Sequence, residues 1–81
     1  MFVAIKNLTA YMDRNIQLVE EAKASKEQHS PEVYNGYMKR MKDLLTGQVD
    51  KLKELSCDKR LIPKYEAKVD KLFKDWEESN E

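Results

Sequence analysis

Apolar residues recur every three or four positions along most of this chain, a spacing that places them on one face of an α-helix. The first run predicts a helix over residues 3–26, in which Tyr11 and Leu18 widen the apolar stripe. The stripe itself consists of Ile5, Leu8, Met12, Ile16, Val19 and Ala22. This helix therefore has a broad apolar face that needs a covering surface.

Two further runs predict a second helix over residues 31–55 and a shorter third helix over residues 63–78. The second stripe consists of Tyr34, Met38, Met41, Leu45, Val49, Leu52 and Leu55, with Val33, Tyr37 and Leu44 beside it. The third stripe consists of Ile62, Tyr65, Val69, Leu72 and Trp76, broadened by Phe73. Its steps of three and four residues follow a heptad most closely.

The two prolines mark the breaks between these helices, because proline disfavours helical geometry in the residue before it. Ser30 before Pro31 has the side chain of a helix N-cap, and proline is common at the first helical position. Pro63 is predicted to begin the third helix in the same way, with Ile62 as the residue at the cap. Breaks are therefore expected near residues 29–30 and 57–62.

The pattern predicts an all-α fold in a single domain covering residues 1–81. No stretch alternates apolar and polar residues as a half-buried strand does. Two long helices form an antiparallel hairpin, and the third helix either packs on that hairpin or pairs with another chain. Both a three-helix bundle and a dimeric helical bundle fit this pattern.

Composition adds few chemical possibilities. Charged residues make up 37% of the chain, but 15 basic and 15 acidic side chains give a formal net charge of +0. This balance provides no general attraction to nucleic acid or anionic membranes. Cys57 is the only cysteine, which excludes an internal disulfide and favours a reducing, cytoplasmic location. We see neither a secretory leader nor an apolar run approaching the ~18 residues of a membrane span.

Residues suited to catalysis or metal binding are scattered. Asp43, Asp50 and Glu54 form the best carboxylate group, and a solvated, ion-paired helix face explains it better than a divalent cation site. Cys57 lacks a histidine partner, since His29 is the only histidine, and is interpreted as a half-buried thiol. We therefore expect no enzyme activity, no metal and no cofactor.

The apolar and aromatic helix faces favour protein binding instead. The hypothesis is a small adaptor, or an inhibitor of another protein, and the partner-binding candidates are Tyr34, Tyr37, Tyr65, Leu72, Phe73 and Trp76. A homodimer is also expected, because one 81-residue monomer has little interior in which to bury two such wide stripes.

The alternative is a nucleic-acid-binding helical protein that uses the basic run between residues 59 and 74. Its candidate contacts are Lys59, Arg60, Lys64, Lys68 and Lys71. Glu66, Asp70 and Asp75 interrupt this run, which weakens the alternative.

Overall fold

The computed structural model describes residues 2–56 and 58–79, with side chains from residue 4 onward. These residues form three α-helices, α1 (Phe2–Ala24), α2 (Pro31–Leu55) and α3 (Leu61–Ser79), and a short 3₁₀ turn at Lys26–Gln28. The described part of the chain contains no β-strand. The predicted all-α, three-helix fold is thus confirmed, and α3 packs on the hairpin of its own chain.

The start of α2 follows the prediction from sequence. Ser30 has extended backbone angles, and its hydroxyl accepts a hydrogen bond from the backbone N–H of Val33 at 3.3 Å. Pro31 occupies the first turn, where its missing N–H costs nothing because such groups have no partner inside the helix. Glu32 adds a negative charge at the positive end of the helix dipole.

The predicted start of α3 was wrong by two residues. The helix begins at Leu61, so Pro63 is its third residue, still within the turn that has no internal N–H partners. Asp58 supplies the polar group that Ile62 lacks: its Oδ1 accepts from the N–H groups of Arg60 at 2.8 Å and Leu61 at 3.3 Å. The end of α1 also differs, since the helix stops at Ala24.

The core lies between all three helices and contains the centre of each predicted stripe. The most completely buried side chains are Met12, Val19, Met38, Leu45, Leu52 and Phe73. Met12 and Met38 have no exposed surface and fill the centre of the core, for which the flexible methionine side chain is well suited. α2 packs closely against both other helices, whereas α1 and α3 approach each other least.

Three polar seams show how the helices are arranged. The connection between Ala24 and Pro31 is short and α1 packs along α2, so these two helices run antiparallel. Asn15 on α1 donates a hydrogen bond to Gln48 on α2 at 3.1 Å, which places those residues level. The α1/α3 seam includes two hydrogen bonds of 2.9 Å. The Tyr65 hydroxyl donates to the Asp13 carboxylate, and the Lys23 ammonium donates to the backbone carbonyl of Leu72.

The α2/α3 seam includes two ion pairs and a hydrogen bond among the described residues. Lys53 pairs with Glu66 at 3.4 Å, Lys42 pairs with Glu77, and Trp76 Nε1 donates to Asn35 Oδ1 at 3.0 Å. Each pair of helices thus meets along its own polar seam. The side chains that border each seam on the solvent side differ, as described below.

The two glycines inside α2 have no structural reason within the described chain. Neither Gly36 nor Gly47 has a positive φ, and no described atom outside the adjacent helical turns lies within 4 Å of an added Cβ. A glycine inside a helix can mark the close approach of another helix, but the described residues place none there. We therefore expect Gly36→Ala and Gly47→Ala each to stabilise the protein.

Each substitution should raise the free energy of unfolding of the dilute protein by about 1 kcal/mol, because glycine is a poor helix former. For a domain of this size, that change corresponds to a melting temperature about 4–8 °C higher. Thermal melts followed by circular dichroism measure it. An unchanged or lower melting temperature in dilute solution would mean that a glycine is required there for a contact or a bend.

Candidate functional site

The six partner-binding candidates from the sequence lie mainly inside the bundle. Tyr34, Tyr65, Leu72 and Phe73 are buried in the core, where a partner of the folded chain has no access to them. Tyr37 and Trp76 are half-buried. The first four packed at core positions because they lie on the same stripes that hold the helices together, so the interface must be sought elsewhere.

Trp76 packs against α2 and Phe73 of its own chain. Besides its hydrogen bond to Asn35, its ring meets the edge of Phe73 in a T-shaped contact, with 6.3 Å between ring centroids. The last turn of α3 is therefore anchored on α2. Tyr34 lies nearby, and Lys26 sits over its ring at 5.5 Å.

The tyrosine in the α1/α3 seam has a perturbed acidity. Burial raises the pKa of Tyr65 to about 12, and the hydrogen bond to Asp13 and the charge of that carboxylate act in the same direction. Burial also raises the pKa of Tyr34. Both shifts favour the neutral phenol that a packed core requires.

This shift predicts a specific loss of stability in alkali. The unfolded phenol ionises near pH 10.0, whereas the folded one keeps its proton until about pH 12. The stabilising contribution of Tyr65 is therefore complete below pH 10 and is lost as the pH rises through about 12. Between about pH 9 and pH 11.5, we expect wild-type protein to lose more stability in urea titrations than Tyr65→Phe loses.

The Phe variant should itself be less stable at neutral pH by about 1 kcal/mol, because it lacks the hydrogen bond to Asp13. If the two proteins lost equal amounts of unfolding free energy in alkali, the pKa of Tyr65 would not be raised in the folded state.

The proposed nucleic-acid contacts lie on the surface of α3 and the loop before it. Lys59, Arg60, Lys64, Lys68 and Lys71 are all exposed, and Lys68 lies over the Tyr65 ring at 5.3 Å. The wide depression beside α3 is lined by Lys23, Lys42, Lys68, Lys71 and Lys74, and equally by Asp13, Glu20, Asp70, Asp75 and Glu77. Five charges of each sign leave this groove without the positive field that phosphate binding needs.

The carboxylates considered for metal binding are also on the surface. Asp43, Asp50 and Glu54 are exposed on α2, and Glu54 pairs with Lys51 at 3.5 Å. Over the residues that the structure describes, no three His, Cys, Asp or Glu side chains cluster as a metal site would require. Cys57 lies outside the described residues. His29 is exposed before α2.

An apolar surface borders the α1/α2 seam on the side away from α3. Tyr11, Leu18 and Leu44 are 64%, 36% and 45% exposed, although the sequence pattern includes them in or beside the packing stripes. Tyr11 and Leu18 lie one helical turn to either side of Asn15, and Leu44 lies one turn from Gln48. The Asn15–Gln48 seam therefore runs through an apolar surface, whereas charged residues border the two seams of α3.

This surface, the outer hairpin face, consists of Tyr11, Leu18, Tyr37, Leu44 and Leu55 around the Asn15–Gln48 hydrogen bond. Tyr37 lies two turns before Leu44, and half-buried Leu55 lies near the end of α2. Of the candidates from sequence, only Tyr37 is on this face. Large side chains gathered in this way, rather than scattered singly, are characteristic of interaction sites.

The wide stripes of α1 and α2 predict an apolar surface that needs a covering chain, but helical spacing does not show which sector of each stripe the third helix covers. The width of the apolar stripes on α1 and α2 was the feature of the sequence that indicated an uncovered surface. No protein-family model, curated protein or solved structure compared with this chain matches it. None of the described helices combines the length and apolar character needed to cross a bilayer.

Proposed function

We propose that this chain is a non-catalytic protein-binding module, a small helical adaptor or an inhibitor of another protein. The observation that carries the proposal is the outer hairpin face, where Tyr11, Leu18 and Leu44 stay exposed in a bundle whose third helix is already packed. Aromatic and aliphatic side chains with a polar rim are typical of the centre of a protein interface. A helix or helical hairpin laid along the face is the matching mode of recognition.

A homodimer is part of this proposal, since a second copy is one protein that fits such a face. A cytoplasmic location is also proposed, on the basis of the single cysteine at position 57. The Asn15–Gln48 pair supports specificity, because a polar pair inside an apolar interface penalises partners or registers that leave it unsatisfied.

Leu44→Glu tests the face with little risk to the fold, because Leu44 is well exposed and Glu suits a helix. Ala67→Glu is the matched control, since it places the same charge on an exposed position of α3. Wild type and both variants are immobilised and exposed to extract from the native host, and the bound proteins are identified by mass spectrometry. We expect at least one protein that wild type and Ala67→Glu retain and Leu44→Glu loses.

Identical sets of bound proteins on all three chains would contradict the binding of a different host protein through the outer hairpin face. Circular dichroism of each variant checks that the helices persist.

Nucleic-acid binding has one supporting observation, the exposure of Lys64, Lys68 and Lys71 on one side of α3. The balanced charges of the adjacent groove oppose it. A labelled oligonucleotide distinguishes the two functions: binding that is tight at low salt and collapses at moderate salt would favour this alternative.

A further inference from the structure

We infer that the outer hairpin face binds a second copy of this chain, with α1 of each copy lying over α2 of the other. The inference rests on the proposed function, because it takes this face as a protein-binding surface and specifies the protein. Two hairpins joined in this way form a four-helix bundle, with the two α3 helices on the outside. The two-fold axis then runs parallel to the helices.

The size of the face suits a weak but specific dimer. From Tyr37 to Leu55 the face is about 27 Å long at 1.5 Å per residue, and two helices side by side make it about 20 Å wide. Pairing two copies buries about 1,100 Å² in total by this measure, just above the ~1,000 Å² expected of a biological interface. An interface of this size is typical of weak or transient complexes.

One pair of exposed rim charges, Glu21 and Arg40, is complementary when α1 lies over α2 of the other copy, whereas Arg14 and Lys51 at the same rim have the same sign. Glu21 lies three residues after Leu18, and Arg40 lies four residues before Leu44, so both flank the apolar centre and both are exposed. Within the described residues neither takes part in an ion pair. Each is available to a charge on another chain.

Glu21 and Arg40 lie at similar heights along the bundle axis. Counting from the level Asn15–Gln48 pair, Glu21 lies about 9 Å and Arg40 about 12 Å along the same direction, because the two helices are antiparallel. A two-fold axis parallel to the helices leaves these heights unchanged. It therefore brings Glu21 of each copy opposite Arg40 of the other, twice in the dimer.

Gly47 of α2 gives further support, because it lies three residues after Leu44 and is exposed at the border of the face. The described chain gives no reason for this glycine, since nothing outside the adjacent helical turns approaches an added Cβ. A helix from a second copy passing over this border would supply that reason, because small residues allow helix backbones to approach closely.

Charge exchange tests the arrangement. Sedimentation equilibrium is run on wild type, Glu21→Arg, Arg40→Glu and the variant with both changes, at concentrations from about 1 to 200 µM. Each single change should weaken self-association about tenfold, because it places like charges opposite each other twice. The double variant should return to within about threefold of wild type, since the opposite charges meet again.

Two outcomes overturn the inference. A wild-type protein that remains at 9.6 kDa throughout the concentration range excludes a second copy as the occupant. A dimer in which the double variant is no tighter than the single variants excludes α1 lying over α2. If the wild type is monomeric while Leu44→Glu still loses a protein that Ala67→Glu retains, the face binds a different protein and the proposed function stands.

Discussion

Phe73→Ala should unfold this protein or bring it close to unfolding. Phe73 is 1% exposed and lies where α3 meets the rest of the core, in edge contact with Trp76. Truncating a buried phenylalanine costs about 3–5 kcal/mol through lost burial and the cavity that remains. A domain of 81 residues has a total stability of roughly 4–12 kcal/mol at typical values per residue. The substitution therefore removes a large share of it.

Urea unfolding followed by circular dichroism measures this loss, with Val33→Ala as the matched apolar control. Val33 is 62% exposed, so its truncation should change the free energy of unfolding by less than about 0.5 kcal/mol. If Phe73→Ala were no more destabilising than Val33→Ala, α3 would not be part of the folded core.

Trp76 anchors the last turns of α3 on the hairpin. The indole is half-buried on α2, hydrogen-bonded to Asn35 and packed on Phe73. These contacts hold the acidic C-terminal turn of α3, which otherwise opposes the helix dipole. Trp76 is thus part of what fixes α3 on the hairpin.

The sequence predicts the helices and most of the core, because helix formation and core position both follow from a period of 3.6 residues. Ser30 and Pro31 also predict the start of α2, since an N-cap depends only on adjacent residues. The start of α3 was mistaken because Pro63 fits several positions of the first turn. The side chain of Asp58 determines where that helix begins.

The candidate site was harder to predict, because it depends on how the helices are placed around one another. Tyr34 and Tyr37 lie one helical turn apart and both belong to the apolar side of α2. Tyr34 is nevertheless buried in the core, whereas Tyr37 borders the outer hairpin face. In the sequence, nothing distinguishes Leu18 and Leu44 from the apolar residues that are buried in the core. Only the position of α3, on the opposite side of the hairpin, leaves them uncovered.

The double variant Leu18→Glu/Leu44→Glu should abolish self-association. The two side chains lie at the same level beside the Asn15–Gln48 pair, at the centre of the outer hairpin face. Each substitution removes an apolar contact and places a charge where a second copy must exclude water, and the two-fold axis doubles both effects. We expect association to weaken at least 100-fold, or about 2.7 kcal/mol. Both positions are partly exposed, so the monomer should remain folded.

Sedimentation equilibrium of wild type beside this double variant, over about 1 to 200 µM, is the most direct test of the outer hairpin face as a protein-binding surface. The wild type should move with concentration from 9.6 kDa toward twice that mass. The double variant, with unchanged helical content by circular dichroism, should stay at 9.6 kDa throughout. A wild type and a double variant that associate equally, or a wild type that never leaves the monomer mass, would contradict self-association through this face.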